Sequence, residues 1–203
     1  MSNLHIVPPA LERLIRSFSS LPGIGAKTAT RMALNILRKP SSDAREMAEA
    51  LAELHKSIQL CSCCFTFSED DPCVVCADPR RDNSIVCVVE QPGDLIAIEK
   101  TDSYRGHYHI LHGVLSPIDG IGPDEIKIKE LIARIDSNMI KEVLIATSST
   151  VPGEATASYL IDRLQTLPIK LTRLACGIPM GMDIKHADKY TLAKAIESRA
   201  HAS

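Results

Sequence analysis

The sequence contains no Trp, and aromatic residues make up only 3% of its 203 residues. Proteins that hold single-stranded nucleic acid by stacking its bases expose aromatic side chains, so this scarcity argues against a stacking surface. An excess of positive charge is also missing, because 23 Lys and Arg residues against 25 Asp and Glu give a net charge of −2. A protein that coats nucleic acid by bulk charge is therefore excluded, and any nucleic-acid site must be local.

Long hydrophobic runs are absent as well. No stretch approaches the roughly 18 consecutive apolar residues that a membrane-spanning helix needs. The first residues, MSNLHIVPPALERLIRS, contain neither the apolar core nor the cleavage site of a secretory signal. We therefore expect a cytoplasmic protein without a membrane partner.

The residues that are present fit a folded globular protein. A hydrophobic fraction of 45% and a charged fraction of 24% are ordinary values, and the length allows one large domain or two smaller ones. Positive charge is concentrated at the start of the chain, where residues 1–60 hold 8 basic and 5 acidic residues.

Hydrophobic periodicity predicts three helices in this first part, over 8–18, over 28–38 and from about 44 to 60. The segment 40–43 is expected to end the second helix and to cap the third. Six apolar residues of the third helix recur at helical spacing, and we expect this stripe to be buried core. They are Ala44, Met47, Ala48, Leu51, Leu54 and Ile58.

The segment LPGIGAK, at 21–27, connects the first two helices. Gly23 and Gly25 allow a sharp turn and bare the amide groups at the start of the second helix, where an anion can bind. Lys27 and Arg31 lie one helical turn apart beside that end. The pattern is typical of a helix-hairpin-helix contact to DNA phosphates, which carries no sequence information. The alternative is a helical corner whose glycines serve only the turn.

Short apolar runs at 85–89, 110–115 and 143–146 alternate with helical stretches near 93–100, 124–135 and 154–166. This alternation predicts a parallel sheet covered on both faces, and ligands of such sheets bind at the carboxyl ends of the strands. The stretch PRRDN at 79–83 is the expected junction between the smaller and larger pieces of the chain.

Five of the seven cysteines fall between Cys61 and Cys76. Four of them form two CxxC pairs, Cys61 with Cys64 and Cys73 with Cys76, separated by eight residues. Two such turns supply the tetrahedral sulfur set that a structural zinc ion prefers, with no open position for catalysis. The alternative is a set of buried free thiols or a redox CxxC pair. The spare Cys63 is not expected to bind the metal.

The other cysteines and a group of histidines have structural interpretations. Cys87 and Cys176 lie in apolar runs and are expected in the core. His107, His109 and His112 are interpreted as structural or solvent-facing, because their spacing is a weak metal-binding pattern.

Two acidic residues lie where the predicted sheet would place a ligand. Glu90 follows the first strand of this part, and Asp94 lies at the start of the next helix. The pair could bind a divalent cation, or Asp94 could simply contact the helix N-terminus. The turn after the strand at 143–146 reads TSSTVPGEA, and its first six residues contain no carboxylate.

Several motifs in order resemble the RecR family of bacterial recombination mediator proteins: LPGIGAKTATRMA, the two CxxC pairs, CADPRRDNSIVCVVEQPGDLIAIEKT, LHGVLSPIDGIGPDEI and GEATASYL. The resemblance covers nearly the whole chain. It implies an α+β protein of several parts: a helix-hairpin-helix region at 1–60, a four-cysteine zinc finger at 61–76, an α/β Toprim domain with a mainly parallel sheet at 84–179, and a C-terminal Walker-B-like strand and helix segment at 180–203.

The resemblance also implies a function. Family members mediate recombinational DNA repair without being enzymes: they bind DNA and act with RecO and RecF to load RecA onto gaps. They form tetrameric rings that can clamp single- or double-stranded DNA, which implies association with the nucleoid. On this chain the implied DNA contacts are Gly23, Gly25, Lys27 and Arg31, and the implied cofactor is one zinc ion per chain. Glu90 and Asp94 would serve partner binding.

The chain departs from related sequences at two places. Toprim enzymes carry two aspartates where Ser148 and Thr150 stand here, and two hydroxyls do not replace two charges around Mg²⁺. The C-terminal motif usually has an acidic residue at the position of Lys185 and a small residue at that of Met182, which argues against a nucleotide-linked role. Two alternatives remain, a zinc-containing adaptor that binds only proteins and a magnesium-dependent Toprim nuclease.

Overall fold

The computed structural model describes residues 7–137 and 140–199. Its contacts divide the chain into two compact units, Met1–Ile58 and Gln59–Ser203. The ends of the predicted parts, 1–6 and 200–203, lie outside the described residues, and the predicted four-part division stays a prediction. The expected junction at 79–83 stays a prediction as well. The Arg81 side chain there is only 7% exposed and pairs with Glu99.

The first unit consists of three helices, α1 (Pro9–Ser19), α2 (Ala26–Arg38) and α3 (Ser41–Ser57). Helix α1 begins with a proline, a residue whose fixed φ suits the first turn. Its Phe18 is buried together with Ala29 and Ala33 of α2. The two alanines are fully buried, and their small side chains permit a close approach of α1 and α2.

Helix α3 differs from both expectations made for it. None of its side chains is buried, and Met47, Leu51 and Leu54 are 41%, 58% and 52% exposed. The predicted core stripe was therefore wrong for the single chain, because periodicity identifies an apolar face but not what covers it. The expected side-chain cap was wrong too, since Pro40 occupies the N-cap and makes no side-chain hydrogen bond there.

The second unit begins with a small finger, residues 59–78, which we call the cysteine finger. It contains the antiparallel strands β1 (Gln59–Leu60) and β2 (Phe67–Ser68). The elements that follow are β3 (Asp82–Val89), α4 (Pro92–Glu99), β4 (Gly106–Ile110), α5 (Ile128–Ser137), β5 (Glu142–Ile145), α6 (Val151–Leu164), β6 (Lys170–Arg173) and α7 (Lys189–Glu197), with 3₁₀ turns at Pro117–Asp119 and Ile184–His186.

Strands β3 to β6 form one parallel sheet in the order β4-β3-β5-β6. The central strand β3 is buried over its last four residues, as expected for a strand covered on both faces. One face packs on α5 and α6 around Leu131 and Leu160, and the other contacts Leu95 of α4 and the cysteine finger. The predicted fold class, with a helical first part, a four-cysteine finger and a parallel α/β sheet, is confirmed.

Two predicted element boundaries were wrong. The apolar run at 110–115 is not a strand, because β4 ends at Ile110 and His112 has a left-handed φ of 59° that an extended strand does not permit. The helix expected over 124–135 begins only at Ile128, after a turn.

The predictions for the remaining cysteines and histidines had different outcomes. Cys87 is fully buried, as expected, whereas Cys176 lies half-buried in the loop after β6. That loop is apolar in sequence but is not covered by the sheet. His107 and His109 are buried on β4, and the structural interpretation is confirmed for both.

None of the helices in the described ranges combines the length and apolar composition that crossing a bilayer requires.

Candidate functional site

The four cysteines of the two CxxC pairs lie together in the finger. One sulfur from each of Cys61, Cys64, Cys73 and Cys76 falls within 4.8 Å of every other. The Sγ atoms of Cys64 and Cys73 are 3.6 Å apart. A tetrahedron with zinc–sulfur bonds of about 2.3 Å has sulfurs about 3.8 Å apart, so the cluster matches a zinc site in both size and donor type.

Electrostatics of the cluster also indicate a cation. Hydrogen bonding to Cys73 and burial raise the pKa of the Cys64 thiol to about 12. The neighbouring sulfurs raise the pKa of Cys76, whereas hydrogen bonds from Cys64 and Cys76 lower the pKa of Cys73. The thiols of Cys64 and Cys76 therefore resist ionising beside Cys73, and a bound zinc ion would supply the compensating positive charge.

Backbone geometry holds the first cysteine pair in place. The N–H of Phe65 donates to the carbonyl of Cys61 at 2.9 Å, and Phe65 itself has a left-handed φ of 65°. The N–H of Cys73 donates to the Sγ of Cys61 at 3.3 Å, which links the second pair to the first. Cys63 is exposed and stays outside the cluster, as predicted.

The cysteine finger is anchored to the sheet by hydrogen bonds to the carbonyl groups of residues 63–65. At the end of the edge strand β4, the N–H of Ile110 donates to the carbonyl of Cys64 at 2.9 Å. The Arg134 side chain donates to the carbonyl of Cys63 at 3.0 Å, and His112 donates to that of Phe65 at 2.6 Å. These contacts cover the end of the sheet edge and make the finger part of the sheet unit.

Sequence reasoning missed Arg134 and His112 as residues that position the finger. Arg134 follows an ordinary amphipathic pattern in α5, and the role of His112 depends on its left-handed backbone. No local sequence pattern marks either residue, because each contacts a part of the finger that is distant in sequence and is brought close only by the tertiary fold.

A second candidate site lies at the turn between α1 and α2. Gly23 has a left-handed φ of 76°, which a residue with a Cβ adopts only under strain. Gly25 is the N-cap of α2 and has no side chain with which to cap the first amide groups. Those N–H groups, together with the positive end of the helix dipole, are available to an anion.

Lys27 and Arg31 are both exposed beside this helix start. In the part of the chain that the structure describes, neither forms an ion pair, and the first turn of α2 carries no acidic residue. The turn thus presents bare amides and two cations, which is the chemistry that binds a phosphate group.

The third candidate site is the carboxyl edge of the sheet. Because β3 and β5 are parallel neighbours, Glu90 after β3 lies next to the turn after β5. The N–H of Ser148 donates to Oε1 of Glu90 at 2.6 Å, and the hydroxyls of Ser148 and Thr150 are 2.7 Å apart. The two turns therefore bring the Glu90 carboxylate close to two neutral hydroxyls.

Asp94 is engaged at the start of its own helix. Its Oδ2 accepts from the N–H of Gln91 at 2.8 Å, and Gln91 reciprocates as the other half of a capping box. One carboxylate oxygen of Asp94 therefore makes the contact at the helix N-terminus that the structural interpretation predicts.

Gly153 in the first turn of α6 permits the close approach at this edge. A Cβ at Gly153 would overlap the carbonyl oxygen of Ser148 and would lie 2.8 Å from Oε1 of Glu90. We expect Gly153→Ala to lower the free energy of unfolding by about 1–3 kcal/mol, the usual cost of overpacking, measured by urea unfolding.

The matched control for this substitution is Gly93→Ala in α4, where a Cβ meets nothing within 4 Å. This control is expected to be neutral or to stabilise by about 0.5–1 kcal/mol, because Ala is the better helix former. Equal destabilisation by the two changes would contradict the close approach at Gly153.

Known sequence families match four consecutive stretches of the chain. They are described as the helix-hairpin-helix of RecR at residues 11–55, the four-cysteine zinc finger domain of RecR at 58–78, the Toprim domain at 84–175 and the C-terminal part of RecR at 177–200. The first includes the turn with Lys27 and Arg31, and the second includes the four clustered cysteines.

Curated relatives match the chain over nearly its full length. "Recombination protein RecR" of Moorella thermoacetica is 50% identical over 192 residues, which are 95% of this chain and 96% of the relative. The proteins of the same name from Syntrophotalea carbinolica and Desulfatibacillum aliphaticivorans are 51% and 47% identical, over 94% and 97% of this chain and 96% and 98% of their own lengths. Because these relatives are about half identical over nearly the whole chain, and because the RecR zinc finger and helix-hairpin-helix families also match, the chain belongs to the RecR family of recombination proteins.

Proposed function

We propose that this chain is a non-enzymatic mediator of recombinational repair that binds single- and double-stranded DNA and acts with RecO and RecF to promote RecA loading on gapped DNA. Its DNA contact consists of Gly23, Gly25, Lys27 and Arg31. The observation that carries this proposal is the start of α2, with no side-chain cap, no acidic residue in its first turn and two exposed cations beside it.

A ring of four copies is the form in which we propose the chain acts. One small basic turn on a chain of net charge −2 binds DNA weakly, and several turns on one ring raise the overall affinity through effective concentration. Exposed apolar side chains on each unit support self-association. The first unit exposes Met47, Leu51 and Leu54 of α3, and the second separately exposes Met180 and Tyr190 almost completely. Such side chains usually mark contact surfaces.

The carboxyl edge of the sheet is proposed to serve partner binding and not catalysis. Metal-assisted phosphoryl transfer uses several carboxylates around Mg²⁺, whereas this edge combines Glu90 with the hydroxyls of Ser148 and Thr150. Glu90 and the remaining oxygen of Asp94 are the acidic groups that we assign to a partner such as RecF. Cytoplasmic, nucleoid-associated location follows from the DNA-binding role.

The test is DNA binding by the zinc-loaded protein across a salt series, alone and with RecO, with sedimentation of the same samples. We expect a tetramer whose DNA affinity falls steeply as salt rises, because counterions are released from each phosphate contacted. A tetramer that binds no DNA even at low salt, with or without RecO, would instead identify an adaptor that binds only proteins.

A further inference from the structure

Two residues with a left-handed backbone face each other across one hydrogen bond. Phe65 of the cysteine finger has a φ of 65°, and His112, which follows β4, has a φ of 59°. The Nε2–H of His112 donates to the carbonyl of Phe65 at 2.6 Å. A residue with a Cβ adopts this backbone at a cost, so it persists only where the surrounding contacts enforce it. The contacts of His112 therefore indicate what its backbone is held in place to do.

The cysteine finger holds the His112 imidazole at two points. Besides the bond to the Phe65 carbonyl, the ring of Phe67 in β2 packs edge-on against the imidazole, with 5.7 Å between the ring centroids and 70° between the ring planes. Because a carbonyl only accepts, Nε2 carries the hydrogen, and the ring orientation is fixed. The imidazole leaves this position only by breaking its contacts with the finger.

The residues on either side of His112 bond to the backbone at the end of β3. The N–H of Leu111 donates to the carbonyl of Val89 at 2.9 Å. The N–H of Gly113 donates to the carbonyl of Glu90 at 3.1 Å. The left-handed turn at His112 therefore lies between the two amide groups that fix the backbone from which the Glu90 side chain extends.

The same segment continues along the carboxyl edge of the sheet. The Glu90 side chain accepts, at Oε1, from the N–H of Ser148 at 2.6 Å. Farther along, the N–H of Leu115 donates to Oγ1 of Thr156 in α6 at 2.8 Å. The segment 111–115 thus connects the cysteine finger with the end of β3 and with α6.

We propose that His112 is a positioning residue of the partner-binding edge: its contact with the cysteine finger enforces the left-handed backbone that places Glu90 for a basic group of a partner protein. The inference rests on the proposed partner-binding role of Glu90. It adds that the finger, and not the sheet alone, determines where this carboxylate lies. His112 acts through the backbone and does not itself touch the partner.

The experiment compares His112→Ala with His112→Gly in the zinc-loaded full chain. Both changes remove the imidazole, but glycine adopts a left-handed φ without strain and alanine does not. Hydrogen exchange is followed at the amides of Gly113 and Ser148, which both donate to Glu90. We expect exchange at both amides to be about tenfold or more faster in His112→Ala and within about twofold of the wild-type rate in His112→Gly.

The Lys141 amide is the internal reference, because it donates to the carbonyl of Ser84 at 2.8 Å where β3 and β5 begin. A general loss of stability accelerates exchange there too, whereas a loss of positioning does not. Asp102→Ala is the matched control, since Asp102 has a φ of 54° and lies between α4 and the start of β4. It imposes similar backbone strain and should leave exchange at Gly113 and Ser148 unchanged.

RecF is the partner probe, and its affinity for each variant is measured on the same samples. We expect His112→Ala and Glu90→Gln each to weaken RecF binding by about tenfold, while His112→Gly binds as the wild type does. Glu90→Gln keeps an oxygen for the Ser148 N–H and removes only the charge. Wild-type RecF binding by Glu90→Gln would refute the partner role of Glu90, while the exchange results would still decide the positioning role of His112.

Unchanged exchange at Gly113 and Ser148 in His112→Ala would overturn the proposal. Equal acceleration in His112→Gly would do so as well, because a left-handed backbone free of strain would then not suffice to hold Glu90. If His112→Ala does not fold, His112→Gly decides alone: wild-type exchange supports the proposal, and exchange about tenfold faster overturns it.

Discussion

Cys64→Ser is expected to abolish zinc binding and to destabilise the Gln59–Ser203 unit strongly. Cys64 is fully buried and packs in one cluster with Cys87, Val89 and Tyr108 of the sheet. Structural zinc sites contribute about 10–16 kcal/mol of binding free energy, which is comparable to the whole stability of a domain. Loss of one ligand should therefore lower the thermal midpoint by on the order of 10 °C or more.

Cys63→Ser provides a closely matched control, because the same chemical change is made one residue away. The Cys63 side chain is exposed and lies outside the sulfur cluster. We expect this variant to keep one zinc ion per chain and the wild-type midpoint. The zinc content of both variants is measured by mass spectrometry and their midpoints by thermal unfolding. Loss of zinc from Cys63→Ser, with retention of zinc in Cys64→Ser, would refute the proposed set of four ligands.

The double substitution Lys27→Ala with Arg31→Ala is expected to remove most of the DNA affinity. Each side chain is exposed beside the bare amide groups of α2, so each is assigned one phosphate. On duplex DNA, the slope of log affinity against log salt should become shallower by roughly 0.9 per phosphate, or about 1.8 in all. At low salt the affinity should fall by about 10- to 100-fold, measured by fluorescence anisotropy.

Arg45→Ala with Lys56→Ala removes the same charge from α3 of the same unit and serves as the control. If binding depends on the local turn, this control keeps the wild-type affinity and a nearly unchanged slope. An equal fall in affinity for the two double substitutions would show that only overall charge matters, and the assignment of the DNA contact to the turn would be wrong.

The sequence was sufficient where a local pattern determines local structure. Two CxxC pairs predicted a sulfur cluster, and the four sulfurs do lie within 4.8 Å of each other. The alternating apolar runs predicted a parallel sheet, and the sheet is parallel. In each case the determinant is the spacing of a few residues along one element or loop.

Predictions failed where tertiary contacts or the backbone decide the outcome. The stripe of α3 is apolar but exposed, since a single sequence does not indicate whether a face meets its own chain or another copy. The left-handed backbone of His112 ends an apolar run that otherwise suits a strand. The burial of Arg81 carried no signal in the sequence, because its side chain packs against Glu99, which lies 18 residues away in sequence.

The proposed role of the turn at 23–31 in RecA loading is tested most directly by RecA filament formation. The measurement follows filaments on gapped DNA coated with single-strand-binding protein, in the presence of RecO and RecF. The wild-type chain should accelerate filament formation, and the Lys27→Ala, Arg31→Ala variant, although folded and zinc-loaded, should lack most of that acceleration. Equal acceleration by the two proteins would contradict a DNA contact through this turn.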